Sequence, residues 1–155
     1  MNDESLIRGV VQSHLPRAMD FLRISSCMKP DLSFDTRVCR GSPACYIPTQ
    51  INNRFPRINF NPDINQIRPE NYYTLSEFFC VNFNDKESLI KHMLVHELRH
   101  HKQHLDFEMV VVDGSFPFWH KKPVSTYKYR TMREYCLLPW EQQANNAANT
   151  YMLNL

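Results

Sequence analysis

Glycine is nearly absent from this chain: 155 residues contain three, against ten prolines. Such a chain has few permissive hinges and many stiff, extended connections, and neither a flexible linker nor an internal repeat is visible. No apolar run approaches the about 18 residues needed to span a membrane. The opening Met1-Asn2-Asp3-Glu4 is acidic where a secretory leader would be basic. A net charge of +2, a pI near 8.3 and the lack of a polybasic run give no support to a nucleic-acid partner. The expectation is a soluble, cytoplasmic protein with neither a nucleic-acid nor a membrane partner. The five cysteines (Cys27, Cys39, Cys45, Cys80, Cys136) are odd in number and include no C-x-x-C pair, which favours reduced thiols. A Cys39–Cys45 loop disulfide, or a second metal site with Cys27, has no spacing signature behind it.

What is present suits one domain with a core of its own. Residues 1–75 read as an N-terminal helix and an irregular region, and residues 76–155 as the functional core. Leu6, Ile7, Val10, Val11, Leu15, Ala18, Met19 and Leu22 follow helical spacing from Asp3 onward, with Pro16 expected to bend or split the helix. Residues 29–50 are expected to be irregular, and Arg57–Asn61 and Phe79–Phe83 alternate as half-buried strands do, the latter also compatible with a short helix after Thr74. Asn84 or Asp85 is a good cap for a helix running to about Leu105. Phe107–Val112 reads as a strand, Phe116–Tyr129 as an aromatic loop wall, and Pro139 as the start of a last helix over Trp140–Tyr151.

The central helix contains His96-Glu97-Leu98-Arg99-His100, an H-E-x-x-H motif. Two histidines four residues apart lie about 40° apart around a helix, so both imidazoles can reach one cation. Glu97 stands beside that face and can take a proton from a water the cation activates. His92 and His104 extend the ladder, but its drift sets them about 120° apart, too far for one tetrahedral site. His92, His101 and His104 are therefore expected to be solvated or to stand behind the site, and Arg99 to be a solvated or substrate-side charge.

A catalytic zinc usually has three protein ligands, so a third must come from elsewhere. Six residues after His100, where some zinc proteases place a histidine, stands Asp106; Gln103 takes the place of the turn glycine, and the helical pattern continues past it. The other option is a glutamate on a later helix, and Glu141 opens the last one.

The segment Leu138-Pro139-Trp140-Glu141-Gln142-Gln143-Ala144-Asn145 resembles the P-x-E-x-x-A segment of gluzincins. With Leu94 to Gln103 it makes residues 79–151 similar to the minimal gluzincins, small zinc peptidases of bacteria, phages and mobile elements. The resemblance implies an α+β, zincin-like fold: a small sheet packed against the motif helix, a helical N-terminal part, and a C-terminal helix carrying the third ligand. It implies zinc held by His96, His100 and Glu141, with Glu97 as general base. Larger members place an acid four residues after the ligand glutamate to orient an imidazole. Here Asn145 stands there and can orient through its amide oxygen without adding charge. Zincins often place an oxyanion-stabilising donor between the two motifs, where Tyr135 and His120 are the candidates. The implied activity is hydrolysis of a peptide or protein substrate, aligned as an added strand on a sheet edge, either Phe79–Phe83 or Arg57–Asn61. The rival reading is a catalytically inert zincin with a structural zinc, serving a virion or a regulatory module.

Overall fold

The computed structural model describes residues 3–38, 42–48, 55–63, 78, 80, 85–112 and 116–155. They form a mixed α+β fold. Helix α1 (Glu4–Phe21) leads through a 3-10 turn (Ser26–Met28) to strands β1 (Asp31–Ser33), β2 (Ala44–Ile47) and β3 (Arg57–Phe60). Then come helix α2 (Lys86–Leu105), strands β4 (Met109–Val112), β5 (Phe116–Trp119) and β6 (Lys122–Pro123), a 3-10 turn (Val124–Thr126), and helices α3 (Met132–Cys136) and α4 (Pro139–Leu153).

The first half of the chain belongs to the same core as the motif helix. Ile7, Val11 and Leu15 of α1, Ile58 and Phe60 of β3, Leu89, Leu94 and Leu98 of α2, and Ala148 and Tyr151 of α4 join one buried cluster. Burying such side chains stabilises by about 1.5–3 kcal/mol each before the entropic cost of ordering them. The Asp3 carboxylate meets the Lys86 ammonium at 3.0 Å, tying the starts of α1 and α2 together. A smaller cluster of Trp119, Leu138 and Trp140 lies under β5 and the start of α4.

Helix α1 runs unbroken through Pro16, correcting the expected split. Its buried face, rather than its proline, decides its course, because six of its apolar residues are buried. The expected irregular stretch after Lys29 contains β1 and β2, strands too short to show a periodicity. Cys45 is disulfide-bonded, against the expectation of reduced thiols throughout; its partner lies outside the described residues. Cys27 and Cys80 are exposed free thiols.

The first sheet has the order β1-β3-β2, with β3 parallel to β1 and antiparallel to β2. Arg57–Phe60 is therefore the central strand, and the expectation that Arg57–Asn61 offers an open edge is corrected. The other expected edge, Phe79–Phe83, lies outside the described residues apart from Cys80. The second sheet is the meander β4-β5-β6, so the expected loop wall begins as two strands. Pro117 hid them in the sequence, but it pairs with Val111 where β5 has β4 alone beside it. His120 (φ 44°) and Lys121 (φ 68°) form the two-residue turn between β5 and β6, both left-handed as a type I′ hairpin requires.

Helices α1 and α2 end alike without glycine. Arg23 (φ 56°) and Phe107 (φ 57°) take the left-handed position. The Ile24 N–H then reaches the Met19 carbonyl at 2.8 Å, and the Glu108 N–H reaches the Gln103 carbonyl at 2.9 Å. This 6→1 closure ends α2 at Leu105, reverses the chain, and starts the strand at Met109 rather than Phe107. At the other end of α2 the Asp85 carboxylate caps the Glu87 and Ser88 N–H groups. Among the described residues no helix is long and apolar enough to cross a membrane.

Candidate metal centre

Helices α2 and α4 pack side by side and bring His96, His100 and Glu141 together, with ligand atoms of all three within 4.8 Å of one another. Pro139 begins α4 and fixes Glu141 in its first turn, where the helix dipole favours a carboxylate. The separations are 3.1 Å between the two Nε2 atoms, 3.3 Å from His96 Nε2 to Glu141 Oε2, and 3.4 Å from His100 Nε2 to Glu141 Oε1. A tetrahedral ion with ligand bonds of about 2.0–2.1 Å sets its ligands about 3.3 Å apart, so the three donors fit such an ion. The group can hold a metal ion.

Each imidazole is oriented from behind by an amide oxygen. His96 Nδ1 donates to Asn145 Oδ1 at 2.8 Å, one helical turn beyond Glu141. His100 Nδ1 donates to Gln103 Oε1 at 2.9 Å. Placing both protons on Nδ1 directs both Nε2 lone pairs at the shared centre. Gln103 is 1% exposed, and its amide NH₂ donates to the Trp140 carbonyl at 2.9 Å and to Gln143 Oε1 at 3.1 Å. Sequence reasoning noticed Gln103 only as a residue that was not glycine. Its position three after His100, on the same helix face, was the signal for its role.

Arg99 is paired within the fold rather than solvated. Its guanidinium donates to Glu108 Oε2 at 3.0 Å and to Gln143 Oε1 at 2.7 Å, so it braces the amide pair behind His100. Asp106, the other possible third ligand, caps the end of α2 and pairs with Lys102 at 2.7 Å, outside the group. Of the other histidines of α2, His92 and His101 are buried and His104 is half-buried. His92 is fully buried and bonds Asn149 Oδ1 at 2.9 Å, while His101 donates to the Met28 carbonyl at 2.7 Å. The His104 ring lies 5.1 Å from the Tyr46 ring. Burial pushes His92 down to about 3 and His104 to about 4, and it also lowers His101.

Glu97 is buried beside the cluster and accepts a hydrogen bond from the Tyr46 N–H of β2. Burial raises its pKa, the two motif imidazoles pull it back, and Glu141 adds to the rise. A carboxylate raised in this way is better suited to take up a proton. Burial would raise Glu141 too, but His100 and His96 outweigh it and hold the carboxyl well below its usual range. Burial also opposes charge on His100, yet the Glu141 carboxylate pushes it up to about 9. The Glu141 carboxylate thus favours a proton on His100 in the metal-free protein, and a metal ion bound there would take that proton's place.

The two proposed oxyanion donors part company. Tyr135, on α3, donates its hydroxyl to Glu141 Oε1 at 2.8 Å. Burial and the Glu141 charge raise its pKa, so it stays a neutral donor. His120 lies in the exposed β5–β6 turn, its ring 4.5 Å from that of Trp119, and is not part of the cluster. Trp119 and Trp140 pack together at 5.9 Å beneath the region, as core.

No protein-family model, curated protein or solved structure matches the chain.

Proposed function

We propose that the protein is a zinc-dependent metallopeptidase of the minimal gluzincin type, with a zincin-like fold. The observation that carries this reading is the triangle of His96, His100 and Glu141 at tetrahedral spacing, with the buried Glu97 carboxylate beside it. Zinc bound there supplies Lewis-acid polarisation of a carbonyl and a lowered pKa for water.

The residues do the rest. Glu97 takes the proton of the attacking water on its carboxylate and passes it to the leaving amine nitrogen, so one water and one peptide bond yield a carboxylate and an amine. Asn145 and Gln103 hold the imidazoles in the tautomer that presents Nε2. Tyr135 offers a neutral O–H to the oxyanion by turning its one proton away from Glu141 Oε1, which accepts it in the free protein. The edge that aligns the substrate is β2, which among the described residues pairs with β3 alone.

The test is cleavage of a proteome-derived peptide mixture by zinc-loaded wild type and Glu97→Gln, with new termini read by mass spectrometry. Cleavage by wild type alone is expected. Cleavage by neither protein, or equally by both, rejects the peptidase; zinc retained without cleavage leaves a structural zinc.

A further inference from the structure

The formal charge of +2 conceals an uneven distribution. Residues 120–135 hold five of the eighteen Lys and Arg (Lys121, Lys122, Lys128, Arg130, Arg133) and only one of the sixteen Asp and Glu, Glu134. That stretch is therefore net +4, and the rest of the chain is net −2. All five cationic residues are exposed. Among the described residues, Lys121, Lys122, Lys128 and Arg130 have no carboxylate partner within ion-pair distance. Glu134 spends its carboxylate on the Arg130 backbone N–H rather than on a side-chain cation.

The stretch reaches the candidate metal centre through Tyr135, against which Tyr129 packs. The Tyr135 hydroxyl bonds Glu141, and the Tyr129 ring packs edge-on against the Tyr135 ring at 5.2 Å. Tyr129 is 54% exposed, with Lys128 and Arg130 on either side of it in sequence. Two aromatic rings, Tyr135 and then Tyr129, thus link the Glu141 carboxylate to the exposed segment that carries Lys128 and Arg130. Unpaired, exposed cations concentrated in one stretch of the chain are poorly explained by stability, since exposed charges contribute little to it. Charge concentrated on one exposed segment steers a ligand of opposite sign.

From this we infer that the substrate is an acidic peptide or protein segment, whose Asp or Glu side chains engage the Lys128–Tyr129–Arg130 rim while its backbone lies at the metal centre. The inference takes the peptide nature of the ligand from the proposed peptidase activity. The rim itself is tested by binding, independently of turnover.

The experiment uses fluorescence anisotropy with zinc-loaded Glu97→Gln protein. The probes are a labelled Glu-rich peptide, its Gln-for-Glu counterpart, and a single-stranded oligonucleotide of matched charge. The acidic peptide is expected to bind about tenfold more tightly than the Gln peptide, with the preference weakening as salt rises. It should disappear in Lys128→Glu/Arg130→Glu but persist in Lys29→Glu, a control remote from this stretch in sequence. Circular dichroism and zinc content confirm that the rim variant is folded, and Lys128→Gln/Arg130→Gln, a milder variant, should show an intermediate loss. Equal binding of the two peptides, a preference that survives the double reversal, or tighter binding of the oligonucleotide overturns the inference. Cleavage of the acidic peptide by wild type is scored separately: rim-dependent binding without cleavage keeps the rim and removes the peptidase.

Discussion

His96 Nδ1 donates a 2.8 Å hydrogen bond to Asn145 Oδ1 across the α2–α4 interface, and Asn145 follows Glu141 by four residues on α4. One helix thus supplies both a candidate ligand and the group that orients a second candidate ligand. Asn145→Ala is expected to weaken zinc binding by about 10–100-fold, measured by competition with a chromogenic chelator. An affinity equal to wild type would remove Asn145 from the site.

Gln103 does the equivalent work for His100, and more of it. Its oxygen accepts from His100 and its NH₂ serves Trp140 and Gln143. Gln103→Leu leaves those partners unsatisfied in a buried place, at a cost of about 1–3 kcal/mol, together with a loss of zinc affinity. Chemical denaturation of the metal-free variant checks the first effect and chelator competition the second.

The H-E-x-x-H helix and the last helix were legible because both carry their boundaries locally: Asp85 as a cap, Pro139 as a first residue, apolar spacing between. The hydrogen bond of Asn145 to His96 matches what the gluzincin resemblance implied for the position four residues after Glu141. What escaped was set by tertiary context. Arg23, Phe107, His120 and Lys121 take left-handed angles with no glycine to mark them, so the β5–β6 hairpin read as a loop. The strand Arg57–Phe60 alternates like an edge strand, and only its pairing on both sides makes it central. Arg99 looked solvent-facing, and the bracing by Glu108 and Gln143 needs the fold to bring residues 99, 108 and 143 together.

Acid should unfold the protein partly through its buried histidines. Folded-state values of about 3 for His92 and about 4 for His104 lie below the ordinary 6.5, so both are neutral in the fold. Their contribution is fully present above pH 6.5 and is lost as pH falls from there toward 4 and 3, because the unfolded chain binds those protons first. His92→Gln keeps a group that can donate to Asn149 but cannot titrate. Thermal melts in chelator are expected to show a smaller loss of stability on acidification for His92→Gln than for wild type. Parallel losses would contradict the assignment.

Tyr135→Phe and His120→Asn separate the two donor candidates. Tyr135→Phe should retain zinc but lower turnover by about 10²–10³-fold, the usual scale for losing an oxyanion donor. His120→Asn, which keeps a residue tolerant of left-handed angles, should leave turnover unchanged. Steady-state kinetics on one cleaved peptide, with zinc content measured alongside, decides between them.

The most direct test of the account is metal content by mass spectrometry on purified wild type, His96→Ala and Glu141→Ala after reconstitution with zinc. The account predicts about one zinc per chain in wild type and none held by either variant. Full zinc retention in Glu141→Ala, or no zinc in wild type, would contradict it.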